Sequence, residues 1–350
     1  MSVRESNLWK NIFSVPNERV EELLNDENSI TLFNIEWTTR CNNACTYCHF
    51  FAWKYDKSFC KDIEDDLFDT YTDFIKYFSE HTKTMVQYRF SWWDPIVLWD
   101  RLFDLADRGF KKTGIKPYVL TAWRWINEEW VEKGKKSALQ NAFISVENPF
   151  NQDPWANPTE NVIESIKKYN SEEFPLQLWS CIIKNEYFSR LLEICDYFYN
   201  ETWQIPTIHE LNYSAFEVPS DEQLKDLREQ LEKVLIKYGD KLLLRLFPSV
   251  FPELCFWGKM VYLSDLPVRD SHDFNNKNNN ERLDYMSRRF LWFSYPKVEC
   301  KKPCELHDFC KNVKRFRQYD WNGNIDTKRT IIYCKMKKIL SDVYLSVFPE

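Results

Sequence analysis

The sequence predicts an α/β fold in which parallel strands alternate with helices. Short apolar runs typical of strands alternate with longer segments whose apolar residues recur at helical spacing. About six such strand–helix units fall between residues 31 and 245, and an alternation of this length implies a parallel sheet with crossover helices. Beyond residue 245 the pattern changes to short, irregular pieces with prolines, so we place a domain boundary there.

The composition is ordinary for a soluble globular protein. With 350 residues, the chain can bury a core large enough for one large domain, or for one large and one small domain. The net charge of −6 argues against general nucleic-acid binding, and no apolar run approaches the roughly 18 residues needed to cross a membrane. The 11 cysteines are an odd number in a large chain that opens without a signal peptide. We therefore expect a reducing cytoplasm rather than a disulfide framework.

The elements are predicted from the spacing of apolar residues and from start and stop signals. Residues 1–30 are predicted to form a short helical lead-in. The six predicted strands span residues 33–37, 85–91, 116–121, 142–146, 176–183 and 206–211. The six predicted helices span residues 62–80, 96–108, 127–136, 159–169, 187–199 and 220–239.

The last of these helices has the clearest signals. Ser220 followed three residues later by Gln223 forms the capping-box pattern, and Gly239 stands at the expected end. An apolar stripe predicts the face that packs on the core, formed by Leu224, Leu227, Leu231, Val234, Leu235 and Tyr238.

Three cysteines follow the first predicted strand. Cys41, Cys45 and Cys48 have a C-x3-C-x2-C spacing. Soft ligands this close on one loop indicate a metal centre, and they suit a four-iron cubane with one iron left without a protein ligand. A structural zinc site is the alternative, with His49 as the fourth ligand if it turned back on its own loop. An open iron is a position where chemistry can take place.

The triad resembles the signature of the radical S-adenosylmethionine (SAM) enzymes, in which an aromatic residue, here Tyr47, precedes the last cysteine. The resemblance implies a 4Fe-4S cluster on the three cysteines, whose open iron binds the amine and carboxylate of SAM. An electron from the cluster then cleaves SAM to a 5'-deoxyadenosyl radical, which removes a substrate hydrogen. The fold implied is a partial, TIM-like (β/α)6 barrel with the cluster on the loop after the first strand. A flavodoxin or ferredoxin would donate the electron.

The turn after the second predicted strand departs from this family. The family carries there a Gly-Gly-Glu-Pro-like turn whose backbone meets the methionine amine of SAM. This chain has Ser91, Trp92, Trp93, Asp94 and Pro95. Asp94 and Pro95 match the pattern, but an indole blocks the close backbone approach that a glycine pair permits.

The composition offers an explanation for these two tryptophans. Glycine occurs 6 times, although average usage of about 7% would give roughly 24, and tryptophan occurs 15 times. UGA is read as tryptophan in some genetic codes and as glycine in others, so we hypothesise that several tryptophans, Trp92 and Trp93 among them, are glycines in the living protein. Trp123, Trp155 and Trp203 also sit where glycine would be natural. The alternatives are a divergent enzyme whose indoles pack on SAM, or a chain that no longer binds SAM.

Further SAM contacts are implied by the fourth predicted strand. Residues 144–147, Ile-Ser-Val-Glu, resemble the Ile-Ser-Leu-Asp segment of SPASM-type radical SAM enzymes, which makes Ser145 and Glu147 candidate ribose contacts. Three polar residues near later strand ends could meet SAM or substrate, or could satisfy hydrogen bonds of the barrel itself. They are Asn185, Glu210 and Asn212.

A second cysteine group lies in the C-terminal region. Its four members have a C-x3-C-x5-C spacing with one distant cysteine, which suits a cluster or a zinc ion. They are Cys300, Cys304, Cys310 and Cys334. Scattered reduced cysteines are the remaining interpretation. The group resembles the auxiliary-cluster ligands of the SPASM extension, although that family usually spaces the first pair by two residues rather than three. Because only Cys255 lies upstream as a further candidate ligand, we predict one auxiliary 4Fe-4S cluster.

The resemblance as a whole predicts a cytoplasmic radical SAM enzyme. Its domains would be a lead-in over residues 1–30, the barrel over 31–245 and a SPASM-like auxiliary-cluster domain over 246–350. Modification of a ribosomally made peptide or protein is the commonest assignment for this architecture, so we expect such a substrate by analogy. Two alternatives stay open: a radical SAM enzyme acting on a small molecule or an RNA base, and a non-catalytic iron–sulfur or zinc protein.

Overall fold

The structure is a computed structural model that describes most of the chain between residues 30 and 239 and two segments beyond it. The described residues are 27, 30–38, 40–43, 45, 62–91, 94–122, 126–152, 156–210, 219–239, 260–263 and 327–348. Of the predicted N-terminal lead-in, only Glu27 and Ile30 are among them. None of the helices in these ranges combines the length and the apolarity that a membrane span requires.

The described strands lie in one sheet in which every neighbouring pair is parallel. They are β1 (Ile30–Glu36), β2 (Met85–Ser91), β3 (Tyr118–Thr121), β4 (Ala142–Glu147), β5 (Leu176–Ile183), β6 (Thr207–Glu210) and β7 (Met260–Leu263). Their order in the sheet is β6-β5-β4-β3-β2-β1-β7. The first six follow one another in the sheet as they do in the chain and curl into a half-barrel. The predicted partial (β/α)6 fold is confirmed.

The helices alternate with the strands, as predicted. They are α1 (Asp65–His81), α2 (Asp100–Thr113), α3 (Glu128–Lys136), α4 (Thr159–Tyr169), α5 (Leu191–Thr202), α6 (Asp221–Tyr238) and α7 (Thr327–Val347). Two short 3-10 helices, Pro95–Leu98 and Asn185–Arg190, precede α2 and α5. The predicted bounds of β2, β5 and α4 are confirmed residue for residue.

The main core lies between the outer face of the sheet and the helices. In β1, Phe33 and Ile35 are fully buried on this side. The ring of Phe33 packs edge-on against Phe74 and Phe78 of α1, with centroids 5.6 and 5.2 Å apart. Because side chains alternate along a strand, Asn34 faces the barrel interior. Because these bulky rings fill the outer side of the sheet, the strand residues that alternate with them are the ones that can line a site inside the barrel.

The capping box predicted for α6 is present. Gln223 N donates to Ser220 Oγ at 3.1 Å, and Ser220 N donates to Gln223 Oε1 at 2.8 Å. Gly239 ends the helix with a φ of +82°. The predicted apolar stripe is buried except for Tyr238, which is half-buried and donates its hydroxyl to Asp196 Oδ1 at 2.5 Å.

Two elements beyond residue 245 join the barrel. β7 pairs with β1 in parallel and extends the sheet at that edge. α7 packs on α6, and its residues Met336, Leu340 and Val343 are buried in the same core as Leu231. The sequence predicts only short, irregular pieces in this region, so the long helix α7 corrects that expectation. The domain boundary near residue 245 stays a prediction.

Candidate functional site

The carboxyl end of β1 leads into the cysteine loop. Cys41 and Cys45 lie there, and both side chains are half-buried. Asn43 N donates to Cys41 Sγ over 3.4 Å, and a donor aimed at sulfur favours the thiolate form that binds iron. Cys48 and Tyr47 lie outside the described residues. The two described cysteines therefore stand at the end of the strand where the sequence predicts the cluster, with donor chemistry that suits it.

An ion pair closes the base of this loop. Arg40 binds Asp62 through Nε to Oδ1 at 2.8 Å and through Nη2 to Oδ2 at 2.5 Å. Thr38 Oγ1 donates to the same Oδ1 at 2.8 Å, and Thr38 and Asp62 form an antiparallel bridge. Residues 38 and 40 and residue 62, on either side of the cysteine loop, are therefore held next to each other. We call this ion pair the Arg40–Asp62 clamp. Sequence reasoning did not identify it.

The turn after β2 brings a buried carboxylate to the same place. Asp94 is 0% exposed, and its Oδ1 accepts from Thr121 Oγ1 at 2.6 Å and from Ile96 N at 3.5 Å. Its backbone N donates to the carbonyl of Arg40 at 3.3 Å, one residue before Cys41. Among the described residues, Asp94 Oδ2 has no hydrogen-bond partner. Asp94 therefore joins the segments that follow β1 and β2 to the end of β3, through its backbone N–H to Arg40 and through its carboxylate to Thr121.

Burial controls the charge of Asp94. Loss of solvent raises its pKa from the ordinary 3.8 to about 6, while hydrogen bonds from the Thr121 side chain and from the backbone of Ile96 and Ala122 act in the opposite direction. At neutral pH the group is therefore mostly an ionised carboxylate with one poorly solvated oxygen. An ammonium group placed against Oδ2 would restore the lost solvation, because it supplies both a positive charge and a donor.

The rest of this turn is described in part. Pro95 is buried and begins the first 3-10 helix, for which Asp94 is the N-cap residue. The helix fixes the backbone directly after Asp94 and so limits the directions in which the carboxylate can turn. Trp92 and Trp93 lie outside the described residues.

The predicted ribose contacts lie on β4. Ser145 and Glu147 alternate with Ile144 and Val146, which are buried on the helix side, so the alternation places both on the interior face of the barrel. Ser145 Oγ lies 3.1 Å from the hydroxyl of Ser180 on β5. Glu147 is the last residue of its strand and is 8% exposed. Both residues therefore stand on the face that a ligand in the barrel mouth would meet.

The ends of β5 and β6 carry further polar residues. Asn185 begins the 3-10 helix after β5, and Glu210 is the last residue of β6. Asn212 lies outside the described residues. His209, one position before Glu210, was missed by sequence reasoning. Burial lowers the pKa of His209 to about 4, so its imidazole is neutral at physiological pH.

A buried arginine lies inside the barrel, and sequence reasoning missed it too. Arg89 of β2 is 2% exposed, and its Nε donates to Asn34 Oδ1 of β1. Ser91 Oγ donates to the same oxygen at 2.9 Å. The guanidinium of Arg89 lies 4.9 Å from the ring centre of Trp179 on β5, a cation–π contact. The available signal was the alternation of β2, which places Arg89 and Ser91 opposite the outward-packed Phe90.

One member of the second cysteine group, Cys334, lies among the described residues. Cys334 lies within α7, which packs on α6. Cys300, Cys304, Cys310 and Cys255 lie outside the described residues, so the auxiliary cluster stays a prediction. In the part of the chain that the structure describes, no three or more His, Cys, Asp or Glu side chains are grouped to hold a metal ion.

Comparisons with known proteins bear on the fold. No protein-family model matches the sequence, and no curated protein matches it. Among solved structures, the chain is similar to native anSMEcpe with bound AdoMet and Cp18Cys peptide, with a TM-score of 0.60 and 14% identity over 90% of this chain and 97% of that chain. It is also similar to Streptococcus suis SuiB bound to precursor peptide SuiA, with a TM-score of 0.52 and 12% identity over 81% of this chain and 71% of that chain.

These likenesses concern the fold of the protein rather than its activity. At 14% and 12% identity, the two matched structures show that this chain shares their fold, as the resemblance of the cysteine triad implied. The chain has the partial barrel of these structures, with its cysteine loop after β1 and its buried Asp94 after β2.

Proposed function

We propose that this protein is a radical SAM enzyme, which reductively cleaves S-adenosylmethionine and abstracts a hydrogen from its substrate. The observation that carries the proposal is the hydrogen bond from Asp94 N to the Arg40 carbonyl. This bond joins the cysteine loop after β1 to the buried carboxylate after β2. Ligands for a cluster and an acceptor for the methionine amine thereby stand next to each other at the carboxyl ends of adjacent strands, where parallel barrels bind their ligands.

The cluster and SAM are held by separate groups. Cys41, Cys45 and Cys48 hold the 4Fe-4S cluster, and Asp94 Oδ2 accepts a hydrogen bond from the methionine amine. When bound, the cluster supplies the electron that cleaves SAM to a 5'-deoxyadenosyl radical. The task of the protein is to hold SAM in one orientation and to keep water away from the radical.

Other residues complete the SAM site. Ser145 and Glu147 contact the ribose from β4. Tyr47 and Pro95 border the methionine end, together with the pair at positions 92 and 93. Support for this division of roles comes from the strand order, in which β4 lies two strands from β2, with β3 between them.

We propose a peptide or protein as the substrate. Two of the solved structures that this chain resembles hold a peptide, the Cp18Cys peptide in one and the precursor peptide SuiA in the other. A radical SAM enzyme acting on a small molecule or an RNA base is the rival. A reading frame for a short peptide beside the gene would favour the peptide substrate, and its modification by the purified enzyme would establish it.

We further propose one auxiliary 4Fe-4S cluster in a SPASM-like C-terminal domain. Its ligands are Cys300, Cys304, Cys310 and Cys334. Support comes from α7, which carries Cys334 and is packed against α6, so the most distant ligand in sequence is tied to the barrel. The enzyme works in the cytoplasm and receives electrons from a flavodoxin or a ferredoxin.

The test uses anaerobically purified, reconstituted protein. Iron and sulfide are counted, and formation of 5'-deoxyadenosine from SAM is measured with a chemical reductant. The protein is made as written and with Trp92→Gly and Trp93→Gly. Each version is compared with the triple variant Cys41→Ala, Cys45→Ala, Cys48→Ala. Cys195→Ala is the matched control, because it removes a thiol that is buried in α5 on the helix side of the sheet.

We expect about eight irons per chain, four for each cluster, and cleavage of SAM by at least the glycine version. The triple variant should keep about four irons and lose cleavage, whereas Cys195→Ala should retain both. Zinc in place of iron, or clusters without SAM cleavage in either version, would support a non-catalytic metal protein instead.

A further inference from the structure

Two tryptophans have backbone conformations that favour glycine. Among the described residues, the non-glycine positions with positive φ are Trp99 and Trp203, at +48° and +58°. The glycines with positive φ in the same ranges are Gly114 and Gly239. A bulky L-residue with positive φ is a true outlier, because its Cβ approaches the following carbonyl oxygen.

Trp203 occupies the end of α5 as a glycine would. Its φ and ψ are 58° and 18°, and its N–H donates to the Tyr199 carbonyl at 2.8 Å. Gly114 ends α2 at 73° and 1° with the same bond to Phe110, also 2.8 Å long. The left-handed position after a helix is the commonest structural use of glycine. The indole of Trp203 is 78% exposed, so its burial does little to offset the strain.

Trp99 has a rarer conformation. Its φ and ψ are 48° and −120°, close to the first central position of a type II′ turn, where glycine dominates. Its N–H donates to the Ile96 carbonyl at 3.0 Å, and its own carbonyl accepts from Leu102 N at 3.0 Å. Trp99 is thus both the end of the 3-10 helix that Asp94 caps and the start of α2. The 3-10 helix that Asp94 caps therefore ends at this strained residue.

Other tryptophans occupy positions that only a large side chain can fill. Trp37 is 1% exposed, and its ring centroid lies 4.9 Å from that of Phe68. Trp130 is 0% exposed, and its ring lies between Phe103 and Phe174 at 5.2 and 5.8 Å. Glycine at either position would leave a large cavity in the core. Trp203 and Trp130 therefore have opposite structural requirements. Trp99 combines a positive φ with a ring that is partly buried against the core, and the centroid of that ring lies 5.9 Å from Lys133 Nζ.

We infer that positions 99 and 203, together with 92 and 93, are glycine in the protein as its own cell makes it. Each is specified by UGA and is decoded there as glycine, whereas Trp37 and Trp130 are specified by UGG. At positions 99 and 203 the inference rests on the positive φ of the backbone and does not depend on any activity. At 92 and 93 it rests on the proposed function, because those positions are assigned from the SAM-binding turn. Glycine at these four positions would raise the glycine count from 6 to 10, which accounts for part of the shortage against roughly 24.

Glycine at positions 92, 93 and 99 would change the proposed SAM site. Glycines at 92 and 93 allow the backbone to approach the methionine end of SAM. A glycine at 99 lets the 3-10 helix after Asp94 turn into α2 without strain. A recombinant protein with tryptophan at these positions is expected to bind SAM weakly even when its clusters are complete.

The first measurement is the codon at each position. We expect UGA at 92, 93, 99 and 203, and UGG at 37 and 130. UGG at 99 and 203 would overturn the inference and would leave the proposed enzyme activity open to its own test. UGA at 37 or 130 would also count against it, because the structure requires tryptophan there.

The second measurement is the mass of native peptides from the source cells. Trypsin releases residues 90–101, which contain positions 92, 93 and 99, and residues 191–225, which contain position 203. Both should have the masses given by glycine at these positions. Residues 20–40, which contain only Trp37, are the matched control and should keep the mass of tryptophan. Tryptophan masses in the first two peptides would overturn the inference even if the codons were UGA.

Discussion

Asp94 is the residue whose charge most directly links the stability of the barrel to the proposed ligand. Its pKa is raised to about 6 in the folded protein by burial. The folded state therefore binds more protons than the unfolded state between about pH 4 and pH 6, and the free energy of unfolding falls as pH rises through this window. The ligand-free protein thus carries a destabilising charge at neutral pH, which a bound ammonium group would neutralise.

Asp94→Asn should separate these two effects. The amide keeps an acceptor for Thr121 but removes the charge, so ligand-free protein should gain roughly 2–3 kcal/mol of unfolding free energy at pH 7. Affinity for SAM should fall at least tenfold. Urea unfolding from pH 4 to pH 7 and a SAM titration measure the two effects. Asp104→Asn on the exposed face of α2 is the control, and equal pH profiles for the two variants would refute this role.

Replacement by glycine is expected to have opposite effects on stability at Trp203 and at Trp130. Trp203→Gly removes positive-φ strain of about 1–2 kcal/mol and should raise the melting temperature by about 2 °C or more. Trp130→Gly removes a ring packed between Phe103 and Phe174 and should cost at least 3–5 kcal/mol. Calorimetry measures both. A loss of stability in Trp203→Gly as large as in Trp130→Gly would show that the indole, not the backbone, matters at the end of α5.

Part of the site could be predicted from single residues and their neighbours in sequence. The cysteine spacing and the Asp-Pro pair after β2 are local signals, and the structure joins the two segments through the hydrogen bond from Asp94 N to the carbonyl of Arg40, one residue before Cys41. The Arg40–Asp62 clamp could not be predicted, because its partners lie 22 residues apart and only the return of the chain at the end of β1 brings them together. Arg89 was visible as a charged residue in a strand, but its partner Asn34 depends on the register of β1 and β2.

The cysteine loop is an element whose position depends on the Arg40–Asp62 clamp. The two side chains are 43% and 27% exposed, so the ion pair itself should contribute no more than about 1 kcal/mol to global stability. Its larger effect is local, because it fixes where the loop begins and ends. The clamp therefore matters more for holding the cluster than for folding.

Asp62→Ala should release the base of the loop. We expect the iron of the first cluster to be lost to a chelator several times faster, with a melting temperature nearly unchanged. Glu201→Ala is the matched control, because it breaks an exposed ion pair with Lys167 between α4 and α5, away from the cysteine loop. Iron loss is followed by absorbance after addition of the chelator. Equal rates for both variants would remove the clamp from the list of residues that position the cluster.

Elements with strong internal periodicity could be predicted, and those stabilised only by distant partners could not. β2 alternates clearly, β5 alternates on either side of a register shift in its pairing with β4, and α6 has both a capping box and an apolar stripe. β7 is only four residues long and is a strand because the edge of β1 is available to it. α7 shows buried residues at 336, 340 and 343, but the prolines and irregular pieces before it indicated a region without long helices.

For the molecule as a whole, the two described elements beyond residue 245 contact the barrel: β7 pairs with β1 and α7 packs on α6. Leu340 of α7 is 0% exposed and belongs to the main core, whereas Leu345, five residues later, is 57% exposed. The helix that carries Cys334 is thus part of the structure that holds the barrel together. Changes in the packing of α7 should reach the predicted auxiliary cluster as well as the fold.

Leu340→Ala and Leu345→Ala test this connection. Removing the buried side chain of Leu340 should lower the unfolding free energy by about 2–5 kcal/mol, because it leaves a cavity between α7 and α6. Leu345→Ala should change it by no more than about 0.5 kcal/mol. If Cys334 binds the auxiliary cluster, Leu340→Ala should also reduce reconstituted iron from about eight towards four per chain, while SAM cleavage falls less. Equal stability of the two variants would contradict the packing of α7 on the barrel. A full iron count in a destabilised Leu340→Ala would instead separate Cys334 from the cluster.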